Sequence, residues 1–183
     1  MGIISRGFRK IGFCFATITA KIRWNAGIKV VGLFEKRRDT QIIISEGGKL
    51  NLKKNVSFQR NVSLTSAGGV LNIGENVAFN RNCIVICRKE ITIEDNVIFG
   101  PNVTIYDHDH IFTSEGIQSG YRHGAVIIEK GCWIGANVTI LKNTHIGEGC
   151  VIGAGTVIKG DIPQHSLVTG DRSLNIVPIE KKS

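Results

Sequence analysis

From Leu52 onward an apolar side chain returns at every sixth position, with slips only where the chain inserts extra residues. The series runs Leu52, Phe58, Leu64; Ile73, Phe79, Val85; Ile93, Phe99, Ile105; Ile128, Ile134, Ile140; Ile146, Ile152, Ile158, and all fifteen are apolar. Two places before each stands another apolar or small residue, from Leu50, Val56 and Val62 through to Thr144, Cys150 and Thr156. A period of six suits neither an amphipathic helix, which needs 3.6, nor a simple alternating strand, which needs two. A fixed internal repeat instead implies short structural units that bury a continuous core by stacking.

Three places after twelve of the fifteen series residues comes Asn55, Asn61, Asn76, Asn82, Asn96, Asn102, Asn137 or Asn143, or else Gly131, Gly149, Gly155 or Asp161. These types accept positive φ most cheaply, so each six-residue unit reads as a short strand followed by a corner. The glycines directly after an aliphatic residue, such as Gly100 and Gly135, leave room for close backbone approach. The sum is an all-β chain: a three-sided parallel β-helix of eighteen residues per turn, with five full coils between residues 50 and 161. The corner slots that break the rule are Ala67, Arg88 and His108, each closing the third side of a coil and each followed by an insertion.

The largest insertion follows Ile105, and the register returns only at Val126. At its start "TIYDHDHIF" gathers two histidines and two aspartates into residues 107–110. Loops carried by a rigid scaffold are where chemistry is usually placed. The expected organisation is therefore a basic amphipathic helical segment over 1–40, a β-helix over 41–165 with one extended loop at 106–127, and a tail over 166–183.

Charge separates the first segment from the rest. The first forty residues hold nine Lys/Arg against two acids, while the remainder has fourteen against thirteen. Ile4, Phe8, Ile11, Phe15, Ile18 and Ile22 form a narrow apolar seam at helical spacing. Such a helix packs on the prism or on its counterparts, or else rests on an anionic membrane surface. No recognition motif accompanies the charge, so no nucleic-acid partner is expected. The run "IGFCFATITA" is too short to cross a bilayer, and it is not read as a secretory signal. Five cysteines at 14, 83, 87, 132 and 150, with no CxxC pair, read as free thiols in a reducing cytoplasm.

The hexapeptide units, together with "IFGPNVTIYDHDH" and "WIGANVTILKNTHIGEGCVIGAGTVIKGDIP", resemble the left-handed β-helix acyltransferases, in particular their sugar and xenobiotic O-acetyltransferase branch. The resemblance covers roughly residues 70 to 170. It implies a left-handed coil, against the usual crossover sense, and a homotrimer with acetyl-CoA as co-substrate in clefts between adjacent prisms. It implies His110 as the base that takes the proton of an acceptor hydroxyl, with His108 as the rival and Asp107 or Asp109 available to fix the tautomer. Asn80 matches an asparagine that hydrogen-bonds acceptor or base. Trp133, in "CWIGA", matches a tryptophan beside the thioester. The Ala136 N–H matches the donor to the thioester oxygen, Ala154 matches a small residue along the pantetheine arm, and Lys159 falls near the nucleotide end.

Two departures stand out. Where members with sugar acceptors carry an aspartate, this chain has "ICRK", so Arg88 points to an acceptor with negative charge or many hydroxyls. Near the C-terminus "TGDRSLNIV" replaces the usual residues, so the basic contact to cofactor phosphate is either displaced to Arg172 or missing. Tyr121 and Arg122 are the expected acceptor contacts within the insertion.

The resulting expectation is an acetyl-CoA-dependent O-acetyltransferase acting on a carbohydrate hydroxyl of a cell-surface polysaccharide or its precursor. Transfer would be direct, because no cysteine or serine nucleophile accompanies the histidine. The enzyme would be cytoplasmic or peripheral at the inner face of the membrane. Alternatives are N-acetylation of a nucleotide-linked amino sugar and a non-catalytic β-helix scaffold. A zinc site of His108, His110 and His123 lacks the spacing known for this fold, and no metal is expected.

Overall fold

In the computed structural model, which describes residues 27–30 and 39–170, the chain winds as a parallel β-helix with three walls. The first wall carries Ile28–Val30, Lys49–Leu52, Val70–Ile73, Glu90–Ile93 and Val126–Ile128. The second carries Ser57–Phe58, Ala78–Phe79, Ile98–Phe99, Trp133–Ile134, Val151–Ile152 and Leu167–Val168. The third carries Gln41–Ser45, Ser63–Ala67, Ile84–Cys87 and Thr104–Tyr106. The longer strands Thr139–Ile146 and Val157–Ile162 bend from the third wall into the first and join both into one eleven-stranded sheet.

The stride read from the sequence is the stacking register. Leu52, Ile73, Ile93, Ile128 and Ile146 lie in line on the first wall. Phe58, Phe79, Phe99, Ile134 and Ile152 do so on the second, and Leu64, Val85, Ile105, Ile140 and Ile158 on the third. None of these residues is more than 3% exposed, and none of their partners two places earlier exceeds 4%. Burying each large aliphatic or aromatic side chain contributes about 1.5–3 kcal/mol before chain entropy is subtracted. Phe79 lies between Phe58 and Phe99, stacked at 5.4 and 4.7 Å between ring centroids.

Eleven of the twelve expected corner residues have positive φ. Asp161 does not: the strand Val157–Ile162 runs through that edge, and Gly160, at φ 94°, makes the turn one residue earlier without a Cβ to strain. The corner asparagines also form amide ladders along the coil axis. Asn61 donates to Asn82 at 3.2 Å, Asn82 to Asn102 at 2.9 Å and Asn102 to Asn137 at 3.0 Å. A second ladder runs from Asn55 through Asn76 to Asn96.

The insertion after Ile105 departs from the expected open loop. His108–Thr113 pairs antiparallel with Gly116–His123, so most of the excursion is a β-hairpin. A two-residue link and Gly116, at φ 115°, close it, and strand-like alternation gives its faces distinct roles. The apolar seam from Ile4 to Ile22 lies outside the described residues. Within the same N-terminal segment, Ile28–Val30 is a wall strand stacked on Leu50–Leu52.

Candidate active site

The hairpin rises from the edge between the third and first walls, and one buried carboxylate anchors it there. Asp107 has no exposed surface. Its oxygens accept the Arg88 N–H at 2.8 and 2.9 Å, the Lys89 N–H at 2.6 Å and the Glu90 N–H at 2.9 Å, all from the corner one coil earlier. The same carboxylate meets His108 Nδ1 at 3.0 Å, and the Asp107 carbonyl accepts the Gly124 N–H at 2.8 Å where the chain returns. Every group around the carboxylate is a donor, so Nδ1 of His108 carries a proton and Nε2 is the nitrogen left open.

Alternation along His108–Thr113 sets His108 and His110 on one face of the hairpin and Asp109 on the other. Asp109 pairs with Lys142 at 3.3 Å. Neither aspartate therefore fixes the tautomer of His110: one is spent on His108 and the backbone, the other on a lysine. Tyr121 lies opposite His110 in the hairpin register. Its ring is 4.8 Å from that of His110 and 5.2 Å from that of His108, the latter edge-on. The Arg88 guanidinium covers the Tyr121 ring at 4.1 Å and approaches Glu46 Oε2 at 3.5 Å. Arg122 sits over Phe112 at 5.5 Å. Among the described residues His110 has no hydrogen-bond partner, and its ring is exposed. Both ring nitrogens are thus open to a ligand.

The other expected site residues occupy a different part of the prism. Trp133 projects from the second wall, 57% exposed, in register with Ile98 and Val151. Ala136 and Ala154 follow on the edge between the second and third walls, where the Ala136 N–H has no acceptor among the described residues. That edge is flush because it holds glycines: a Cβ on Gly135 would stand 2.7 Å from both Ala154 N and Ile152 O. Asn80 occupies the same edge three coils earlier than Gly153, its Oδ1 accepting the Arg81 N–H at 2.8 Å. Lys159 is exposed on Val157–Ile162, which leads to the hairpin's edge and away from Trp133. Arg172 lies outside the described residues. One chain therefore brings together Arg88, His108, His110 and Tyr121, sets Arg122 opposite Asp109 in the hairpin register, and holds Asn80, Trp133, Ala136 and Ala154 apart from them.

Sequence reasoning missed Asp107 as the anchor of the hairpin. Its signal was available: an acid directly before the broken corner slot of His108, in a chain whose corners otherwise need only Asn or Gly. The thiols stand outside this chemistry. Burial pushes Cys83 and Cys132 up to about 11, and burial followed by the charge of Asp107 pushes Cys87 up to about 12. The described cysteines are free and buried, so these three are poor nucleophiles at neutral pH. Among the described residues no group of three His, Cys, Asp or Glu side chains is arranged to hold a metal ion, and no helix is long and apolar enough to cross a membrane.

Residues 125–160 match the family model of the bacterial transferase hexapeptide, six repeats. The galactoside O-acetyltransferase of Lactococcus lactis is 37% identical over 82 residues, covering 44% of this chain and 40% of that protein. The chain spans about half the length of the curated relatives it matches. A maltose O-acetyltransferase from Clostridium difficile superposes with a TM-score of 0.52 at 26% identity, over 98% of this chain and 80% of that one. A point mutant of an N-acyltransferase from Bacillus cereus, bound to dTDP-4-amino-4,6-dideoxyglucose and coenzyme A, superposes with a TM-score of 0.65 at 20% identity, over 90% and 86%. At that identity the likeness speaks for the fold alone. With its inward residues in six-residue register around three walls and its segment 125–160 matching the repeat itself, this chain is similar to the bacterial transferases of the hexapeptide repeat.

Proposed function

We propose that this protein is an acetyl-CoA-dependent O-acetyltransferase acting on a carbohydrate hydroxyl, of a cell-surface polysaccharide or its precursor. The observation that carries the reading is the exposed His110 imidazole, free of partners among the described residues and backed by Tyr121 on a hairpin anchored by a buried carboxylate. His110 takes the proton of the acceptor hydroxyl as its oxygen attacks the thioester carbonyl. The Ala136 N–H meets the oxygen on which negative charge develops. As the tetrahedral intermediate collapses, the C–S bond breaks and the imidazolium returns its proton to the departing sulfur. Asn80 orients the acceptor, Trp133 and Ala154 line the acetyl-pantetheine path, and Lys159 and Arg172 meet the nucleotide end.

The base and the row Trp133, Ala136 and Ala154 lie on different edges of one prism, so a complete site needs two copies of the chain. This supports a homotrimer of left-handed coils with a site in each cleft. The basic N-terminal segment, in the same reading, is a helix that packs on the assembly or rests on the inner face of the membrane, and the enzyme works in the cytoplasm.

Release of coenzyme A thiol from acetyl-CoA, followed across a panel of oligosaccharides, tests the assignment. His110→Ala is expected to lower turnover about 10²- to 10⁴-fold, the usual contribution of a positioned base, while His108→Ala retains more activity. Loss in His108→Ala with retention in His110→Ala would move the base to His108. The acetyl group of the product should come off in mild base, as an ester does. An acetyl group that survives would make the reaction N-acetylation of an amino sugar, and acetyl-CoA that neither binds nor turns over would make the protein a scaffold.

A further inference from the structure

Arg88 is held at both ends. Its N–H donates to the buried Asp107 carboxylate at 2.8 and 2.9 Å, which fixes the start of the side chain. Its guanidinium lies 4.1 Å over the Tyr121 ring, which fixes the far end. The ring that carries this cation on one side contacts His110 at 4.8 Å. Cation and imidazole therefore contact the same aromatic ring, which places both beside one acceptor site.

A guanidinium presents five N–H donors in a planar fork matched to a carboxylate. Among the described residues Arg88 has one ionic partner, Glu46, at 3.5 Å and with a side chain 61% exposed. A pair this long and this exposed is worth about 0–1 kcal/mol, so an incoming carboxylate displaces it readily. Glu46 also shows which chemistry the fork accepts. The neighbouring cations are engaged elsewhere, Arg122 over Phe112 and Lys142 with Asp109. The planar fork matches the two oxygens of a carboxylate, and the one anion it meets among the described residues is itself a carboxylate.

We infer that the acceptor carries a carboxylate, bound by Arg88 while His110 deprotonates a hydroxyl of the same or the adjacent sugar residue. This rests on the acetyl-transfer reading for the second half of the statement only, because the carboxylate preference is measurable by binding alone.

The test uses the full chain with sialyl, glucuronosyl and galacturonosyl oligosaccharides, each beside its carboxyl-reduced counterpart, and with a sugar phosphate. Binding is measured by calorimetry without acetyl-CoA, and thiol release with it. At least one carboxylated member is expected to bind about tenfold or more tightly than its reduced partner, a difference of about 1.4 kcal/mol. Arg88→Gln should erase that ratio, Arg88→Lys should keep part of it, and Glu46→Gln should enlarge it by freeing the fork. KM for acetyl-CoA should stay where it is.

Equal binding of carboxylated and reduced forms in every pair would overturn the inference, as would stronger binding of the sugar phosphate. So would an Arg88→Gln variant that weakens both members of a pair alike, since that is what a mere staple of the hairpin would do. A carboxylate preference that depends on Arg88 but brings no thiol release would leave the inference standing and remove the acetyltransferase reading instead.

Discussion

The walls of the prism and the hairpin on its third edge are built from the same backbone ladder chemistry but stabilised in opposite ways. In the walls each coil repeats the one before it, so any residue at the inward slot is surrounded by its equivalents above and below. Stability there is spread over many similar burials. The hairpin has no such neighbours: residues Gly116–His123 are mostly exposed, and its attachment converges on one buried side chain, Asp107. Redundancy makes the walls tolerant of change at their edges, whereas the hairpin concentrates its anchoring in a few residues.

The largest effect expected from this contrast is on the wall. Phe79→Ala removes the middle ring of the Phe58, Phe79, Phe99 stack, inside a core that neighbouring coils prevent from collapsing. A loss of about 3–5 kcal/mol in unfolding free energy is expected from urea titration. Phe112→Ala, on the hairpin and 43% exposed, should move the same measurement by no more than about 0.5 kcal/mol. Comparable losses at the two positions would mean that the hairpin belongs to the cooperative core after all.

Of intermediate size is the anchor. Asp107→Asn keeps the shape but offers one acceptor oxygen and a pair of donors to a surround made only of donors: three backbone N–H groups and His108 Nδ1. A loss of about 1–3 kcal/mol is expected from the unsatisfied groups. Imidazole nitrogen NMR should show that His108 no longer holds its proton on Nδ1 alone. Asp109→Asn, on the opposite face and paired with Lys142, should leave both readouts where they were. An unchanged His108 spectrum in Asp107→Asn would show that the imidazole is fixed by packing against Tyr106 and Tyr121 instead.

The same contrast accounts for how much could be read from the sequence. The walls were legible to the residue because the interior slot repeats; Leu52, Ile73, Ile93, Ile128 and Ile146 announce their own register. Corners were legible through the cheap positive φ of Asn and Gly, and the exception at Asp161 arises where a strand bends through an edge with a glycine beside it. The amide ladders were not legible, because an asparagine chosen for its backbone looks the same as one chosen for its side chain. At the hairpin the stride is silent. The residue types of "DHDH" marked the place, but which aspartate would hold which histidine depended on alternation across a strand that the sequence had presented as a loop. The separation of His110 from Trp133 and Ala136 follows from assigning residues to edges, which the six-residue count already permitted.

The smallest effect expected is on the outer surface of the walls, where pH acts through two carboxylates. The Glu75 N–H, donating at 2.7 Å, holds Asp95 below the usual carboxylate range, with Lys53 assisting at 3.3 Å. The His145 ring, 2.8 Å away, does the same for Glu129, with the Glu148 N–H at 2.8 Å. A depressed folded-state value means that folding favours the charged form. The stabilisation is therefore fully present above the unfolded value, near pH 4, and is lost as pH falls through the lower folded-state value. Water reaches both groups, so screening keeps the effect small. Thermal unfolding followed from about pH 5 to pH 2 should show Tm falling less steeply in the double variant Asp95→Asn, Glu129→Gln than in the unmodified protein. Parallel curves would mean that these edge contacts contribute nothing measurable.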